Sequence, residues 1–258
     1  MFRTNIFILF CMTLMIVFSY IDLSEPNYME TDLQLTSGNT VVLWDLVDDY
    51  SINEVIEEIK LKNAKIVYLI LNTNGGSVEA AHNLKRFSVD NNIQIHTVSL
   101  NSISSGYILV ETLGTRYVTK DSYLMMHEVK QFVQGWANYT DLKNYNRRVF
   151  KEADDIYKPL YTRIKMKDWQ FRQLITPQVD IDYKQALKQN HADSLVKLHC
   201  SSDMVDYVKT YKINYAVYEI KFPGCPIIKQ PIYVSYVEGI VSEEDKGIIQ
   251  ARFYAGRY

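Results

Sequence analysis

The chain has 258 residues, 47% hydrophobic and 22% charged, with 28 basic against 30 acidic side chains and a formal charge of −2. That mixture excludes a disordered chain, a collagen-like repeat and a multi-span membrane protein, and it gives no overall electrostatic footprint for nucleic acid. Three cysteines (Cys11, Cys200, Cys225) exclude a disulfide scaffold and show no zinc-type spacing, so no metal and no other cofactor is expected.

The N-terminus is set apart. Residues 6–21 are uncharged and almost wholly apolar, preceded by Arg3. A run of this length is short for a transmembrane helix and suits a signal-peptide core, so residues 1–21 are predicted to export the chain or anchor it to a membrane. Residues 22–39 are polar, with a proline and a glycine, and read as a linker.

From residue 40 the pattern alternates. Residues 41–44 form a short strand, and Ser51-Ile52-Asn53-Glu54 has the form of a capping box. Behind it Ile52, Val55, Ile56 and Ile59 share one helical face. The run 66–71 suits a buried parallel strand. It breaks at Asn72-Thr73-Asn74-Gly75-Gly76, and Ser77 opens a helix with Ala80, Leu84 and Phe87 on one side. A strand over 93–98, a helix over 104–113 and a short strand over 123–127 follow. Strands alternating with helices argue for an α/β fold with a parallel sheet. Residues 140–165 carry a long helical stripe (Val149, Ala153, Ile156, Leu160, Ile164) that Pro159 is expected to kink. Asp182 suits the N-cap of a helix through Ala186 and Leu187. Residues 40–199 read as the catalytic domain. Residues 200–258, rich in Tyr, Val and Ile at 215–220 and 232–237, read as a small β-rich extension.

In open α/β sheets, ligands and catalytic groups gather at the carboxyl ends of the strands. One such end is the glycine pair Gly75-Gly76, where the backbone can approach a substrate closely. Another is Ser104, at a strand-to-helix turn where free amides and the helix dipole favour an oxyanion. A serine nucleophile needs a base, and His127 closes a short apolar strand downstream. His82 and His96, within a helix and a strand, read as structural. His191 and His199 have no partner at metal-ligand spacing.

At these residues the chain resembles the proteolytic-subunit family of the Clp protease, within the crotonase superfold. Leu71-Asn72-Thr73-Asn74-Gly75-Gly76-Ser77-Val78 is similar to that family's I-N-S-P-G-G-S-V. Ser104-Ser105-Gly106 stands where the family has S-M-G, and Leu124-Met125-Met126-His127 where it has V-M-I-H. The intervals, 29 residues from Gly75 to Ser104 and 23 from Ser104 to His127, agree roughly. The resemblance implies repeated β-β-α units with a parallel sheet and a long protruding helix. It implies a serine endopeptidase with Ser104 as nucleophile, His127 as base and the Gly75 and Ser105 amides as oxyanion hole. It also implies a peptide or protein substrate, a homo-oligomeric ring and an AAA+ ATPase partner.

Three departures stand beside it. Counting back from the helix near Asp182, the family's acid falls on Gln178, with Asp180 the nearest carboxylate; Asp180 is the expected third member and Gln178 the alternative. Asn74 replaces the motif's proline. An N-terminal membrane segment is foreign to the family. Two alternatives therefore stay open. One is a membrane-anchored protease resembling signal-peptide peptidases, with a lysine base such as Lys85. The other is a non-catalytic member kept for assembly or binding. Cys200 and Cys225 are expected to pair if the domain is exported.

Overall fold

A computed structural model of the chain describes residues 28–130 and 138–253. The apolar run and the export or anchor reading lie outside them. Among the described residues no helix is long and apolar enough to cross a membrane.

The first element corrects the linker reading. Residues Glu30–Leu35 form strand β1, paired in parallel with the last strand of the main sheet. Its apolar residues are only Leu33 and Leu35, on one face and both buried, so the period-2 signal is too short to stand out in a polar stretch. Then come β2 (Thr40–Leu43), helix α1 (Asp49–Lys62), β3 (Ile66–Thr73) and helix α2 (Val78–Asp90). These are followed by β4 (Gln94–Ile103), helix α3 (Ser105–Thr112) and β5 (Arg116–His127). Helix α1 starts earlier than the Ser51 pattern predicts. The N-cap is Asp48, whose carboxylate accepts the Ser51 N–H at 2.8 Å while Ser51 Oγ accepts the Asp48 N–H at 3.1 Å. Ile52, Val55 and Ile59 are buried as their spacing predicts, each stabilising by about 1.5–3 kcal/mol.

Helix α4 (Tyr139–Arg163) runs on through Pro159. Its later turns bury Tyr157 and Leu160, whereas residues 140–144 and 146–148 are exposed, so it docks by one half and protrudes by the other. Helix α5 (Asp168–Ile175), β6 (Gln178–Asp182), helix α6 (Tyr183–Lys188) and β7 (Ser194–Cys200) complete the unit. Asp182 caps α6 as its sequence position predicts, accepting the Gln185 N–H at 2.8 Å.

The sheet order is β1-β7-β5-β4-β3-β2, parallel throughout, with β6 added antiparallel to β5. Helices cover one face over a large core that includes Leu69, Leu71, Leu84, Tyr107, Leu124 and Leu160. A parallel sheet needs both faces covered. The second face buries Leu35, Ile70, Val98, Leu100, Val196 and Leu198, and Cys200 and Met204 pack against them. Residues after β7 form the extension: β8 (Tyr207–Ile213), β9 (Ala216–Phe222) and β10 (Tyr233–Gly239) in one antiparallel sheet, then helix α7 (Glu243–Phe253). A disulfide joins Cys200 to Cys225. Trp44, just past β2, enters the extension's core beside Phe222, Ile249 and Phe253.

Candidate active site

The carboxyl ends of β3, β4 and β5 lie side by side, and the residues singled out above gather there. β4 ends at Ile103. Ser104 follows at φ 56°, in the left-handed region, and α3 begins at Ser105. A non-glycine residue held there stores about 1–3 kcal/mol of strain and persists only where its surroundings fix it. They do so here. The Ser104 N–H donates to the Met125 carbonyl at 2.8 Å, and the Ser104 carbonyl accepts the Ile108 N–H at 3.2 Å. Among the described residues the Ser104 side chain makes no capping bond, which leaves its hydroxyl available. The fully buried Ser105 Oγ, one residue on, has no partner among the described residues either.

The glycine loop packs directly on this turn. A side chain on Gly75 would meet the Ile103 carbonyl, Ser104 Cβ and the Ser105 nitrogen at 2.5, 2.8 and 3.1 Å, so only glycine fits, and its φ of 88° demands glycine again. Gly76, at φ 146°, lies as closely against the Val47 carbonyl. The loop is held from that side by Val47 N–H to the Gly75 carbonyl at 2.9 Å and Ser77 N–H to the Val47 carbonyl at 2.6 Å. The Gly75 N–H is donated internally, to Thr73 Oγ1 at 3.1 Å. The Gly76 N–H has no acceptor among the described residues. Thr73, two residues before Gly75, is thus a loop-ordering residue that the glycine pattern alone did not reveal.

His127 ends β5, two residues beyond the carbonyl that anchors Ser104. Its Nδ1 lies 2.5 Å from the Glu128 carbonyl oxygen. A carbonyl only accepts, so Nδ1 is the donor and Nε2 is the ring nitrogen left to serve as an acceptor. No hydrogen bond joins Ser104 Oγ to His127 in this structure. The antiparallel pairing of β5 with β6 sets Gln178 opposite His127, Asp180 opposite Met125 and Asp182 opposite Tyr123. Gln178 is therefore the direct cross-strand neighbour of the histidine, and Asp180 shares the face one diagonal away. The Asp180 carboxylate turns to Tyr123, accepting its hydroxyl at 2.5 Å, and Gln178 Nε2 reaches the same oxygen at 3.5 Å. Burial, reinforced by that carboxylate, pushes the Tyr123 hydroxyl up to about 12.

The remaining candidates lie elsewhere. Lys85 lines a cavity with Gln94, His96 and Gly114, at the amino-terminal ends of β4 and β5. Ser104 is at the far end of the ten-residue β4, roughly 30 Å along the strand. His96 is structural as expected: Nδ1 accepts the Thr115 N–H at 2.9 Å, and burial lowers its basicity. His82 is likewise held below the usual imidazole range, by burial and then by Lys85 and Arg86. His199 Nε2 meets Asp32 at 2.7 Å. His191 is fully buried, with Nδ1 bonded to the Tyr107 hydroxyl at 2.7 Å. Among the described residues no three His, Cys, Asp or Glu gather as metal ligands.

A family model described as Clp protease matches residues 26–197, well over half of the chain and inclusive of β1. No curated protein matches it.

Proposed function

The chain belongs to the Clp protease family, and we propose on that premise that it is a serine-type endopeptidase. The observation that carries the reading is Ser104, strained at a strand-to-helix turn with its hydroxyl free and the glycine loop packed against it. Ser104 Oγ attacks a peptide carbonyl and passes its proton to His127 Nε2. The oxyanion accepts from the Ser105 amide and from Gly76, whose N–H has no internal bond to break; Gly75 would first have to release Thr73. The imidazolium then protonates the leaving amine, and water hydrolyses the acyl-enzyme by the same steps in reverse. The unbonded Ser104 and His127 close on each other when substrate arrives, as catalytic hydrogen bonds often do.

The third position distinguishes this site. The Glu128 carbonyl holds Nδ1–H, and Gln178 stands across from the ring in place of a carboxylate. A missing acid costs about 10⁴ in kcat yet leaves catalysis well above water. A slow peptidase follows. Gln178 equally favours the second reading, a non-catalytic member that binds through the same fold. The reading of Lys85 as base loses support from its place at the other end of β4.

We further propose homo-oligomeric rings, assembled through the exposed half of α4, with peptides or proteins as substrates. An exported or membrane-anchored location accords with the apolar run 6–21 and with the Cys200–Cys225 disulfide, since such bonds persist in oxidising compartments. That location makes a cytosolic AAA+ partner the weakest of the inherited expectations. A fluorophosphonate probe tests the core of the proposal. The wild type should label at Ser104 and Ser104→Ala should not; a wild type that never labels leaves the binding reading.

A further inference from the structure

The family match ends at residue 197, yet the chain after it does not merely trail from the domain. Its last helix, α7, touches the glycine loop and the segment that carries it. Asn74 Nδ2 donates to the Ala251 carbonyl at 2.6 Å. Asn74 is the residue that stands in place of the family motif's proline, so this departure has a local use. The neighbouring Arg252 grips Asp45 with two parallel bonds, Nε to Oδ1 at 2.8 Å and Nη2 to Oδ2 at 2.6 Å. Asp45 is 4% exposed and spends its remaining reach on the Leu46 N–H at 2.6 Å. Beside it Trp44 stacks on Phe222 with centroids 5.6 Å apart. Two residues further on, Val47 clamps the loop through the Gly75 carbonyl and the Ser77 N–H. From the rear of β3, Asn72 Nδ2 donates to the Lys229 carbonyl at 2.9 Å.

These contacts run in series. The extension's core fixes Trp44 and Asp45, those fix Val47, and Val47 fixes Gly75 and Gly76 against Ser104. We infer that residues 200–253 form an internal strut that sets the position of the glycine loop, with Arg252 and Asn74 as its positioning residues. The inference rests on the peptidase reading for its effect on turnover, though not for its effect on the loop. A bidentate guanidinium–carboxylate pair fixes direction as well as distance, so a lysine at 252 keeps the charge and loses the alignment. Displacing oxyanion donors by about 1 Å costs on the order of 10²-fold in rate.

The test uses the full chain and three variants, Arg252→Lys, Asn74→Asp and Tyr215→Ser, the last at an exposed position of the extension. Backbone hydrogen exchange should quicken at least about tenfold at Val47 and Ser77 in the first two and stay unchanged in the third. Turnover of a peptide ester should fall about 10²-fold in kcat for Arg252→Lys, with KM within about twofold, and should not change for Tyr215→Ser. If Arg252→Lys unfolds the extension, Asn74→Asp decides alone, because it disturbs a single bond at the loop. Unchanged exchange at Val47 and Ser77 in folded Asn74→Asp would overturn the strut, as would an equal effect in Tyr215→Ser. A wild type that neither labels nor turns over removes the peptidase reading, and the exchange measurement still decides the strut.

Discussion

At the amino-terminal end of β5, Arg116 is 2% exposed and its guanidinium is saturated. Nη1 donates to Glu111 at 2.6 Å and the Asn190 carbonyl at 2.8 Å; Nη2 donates to Asp193 at 2.6 Å and Asn190 Oδ1 at 3.4 Å; Nε donates to Asp193 at 3.2 Å. Arg163 caps the same corner through the Leu113 and Gly114 carbonyls. At the other end of the neighbouring strand Ser104 sits at positive φ, and among the described residues its hydroxyl is free, Ser105 Oγ is buried without a partner, and the His127 ring holds a single bond. Both ends are built from the same strands and share α3, whose first residue lies at the strained end while Glu111, one residue from its last, belongs to the paired one. Among the described residues Glu111 Oε1 and His191 Nε2 are also without a hydrogen-bond partner at the paired end. What sets the two ends apart is therefore the fully bonded guanidinium at one and the strained backbone at the other, which the surrounding fold holds in place. The difference teaches where stability and reactivity are kept apart.

The most severe break is chemical. Ser104→Ala and His127→Ala should each remove about 10² of the turnover that a site without the acid retains, while leaving the urea midpoint within a few tenths molar of wild type. Ser104→Gly should abolish turnover and also stabilise, by about 1 kcal/mol, because glycine takes positive φ without strain. A Ser104→Gly that is less stable than wild type would deny that strain is stored at this end.

The opposite end should answer in stability and hardly in chemistry. Arg116→Met leaves the buried Glu111 uncompensated and Asp193 with only the more distant Arg163, and should cost about 3–5 kcal/mol in urea denaturation. Burial alone would raise the Asp193 carboxyl, but hydrogen bonds and charge from Arg116, with Arg163 behind it, outweigh that and hold it below the usual carboxylate range. Its folded value thus lies under its unfolded one. The stability it contributes is present above about pH 4 and is lost as pH falls through the folded value. Arg116→Met should therefore show a shallower loss of stability below pH 4 than wild type. An equally steep acid limb in both proteins would remove Asp193 from the account.

How much of this was legible beforehand follows the same division. Continuous apolar runs and 3.6-residue spacing disclosed β3, α1, α2 and α3, and the Gly75, Ser104 and His127 positions stood out because each sits where a strand ends. β1 escaped because two leucines in a polar stretch make no period. Helix α7 escaped because one of its three buried residues, Asp245, belongs to an acidic first turn, which leaves only Ile249 and Phe253 as its buried apolar signal. The Arg116 cluster escaped for another reason: its partners come from α3, β5 and the turn after α6, and only folding brings position 111 beside 116, 190 and 193. The strut is of the same kind, joining Asp45 to Arg252 across most of the chain. Local chemistry can be read from a sequence, whereas pairings over long separations need the fold.

The smallest expected effect separates Gln178 from Asp180. Both lie on the face of β6 that His127 presents to them, so sequence counting left the choice between them open. Pairing register places Gln178 opposite the ring, while Asp180 is already committed to the Tyr123 hydroxyl at 2.5 Å. Gln178→Ala should then lower kcat severalfold by removing the polar side chain across from the imidazole, and Gln178→Asp should raise it, since a carboxylate there stabilises the imidazolium formed in the reaction. Asp180→Asn should leave kcat within about twofold. Its signature belongs to Tyr123: without the carboxylate the phenol should fall from about 12 toward the ordinary tyrosine range, visible as earlier ionisation in an ultraviolet titration. A tenfold loss of kcat in Asp180→Asn, with Gln178→Ala unaffected, would mean that the carboxylate leaves Tyr123 for His127 when substrate binds, and the apparent division between the two residues would be a property of the empty site alone.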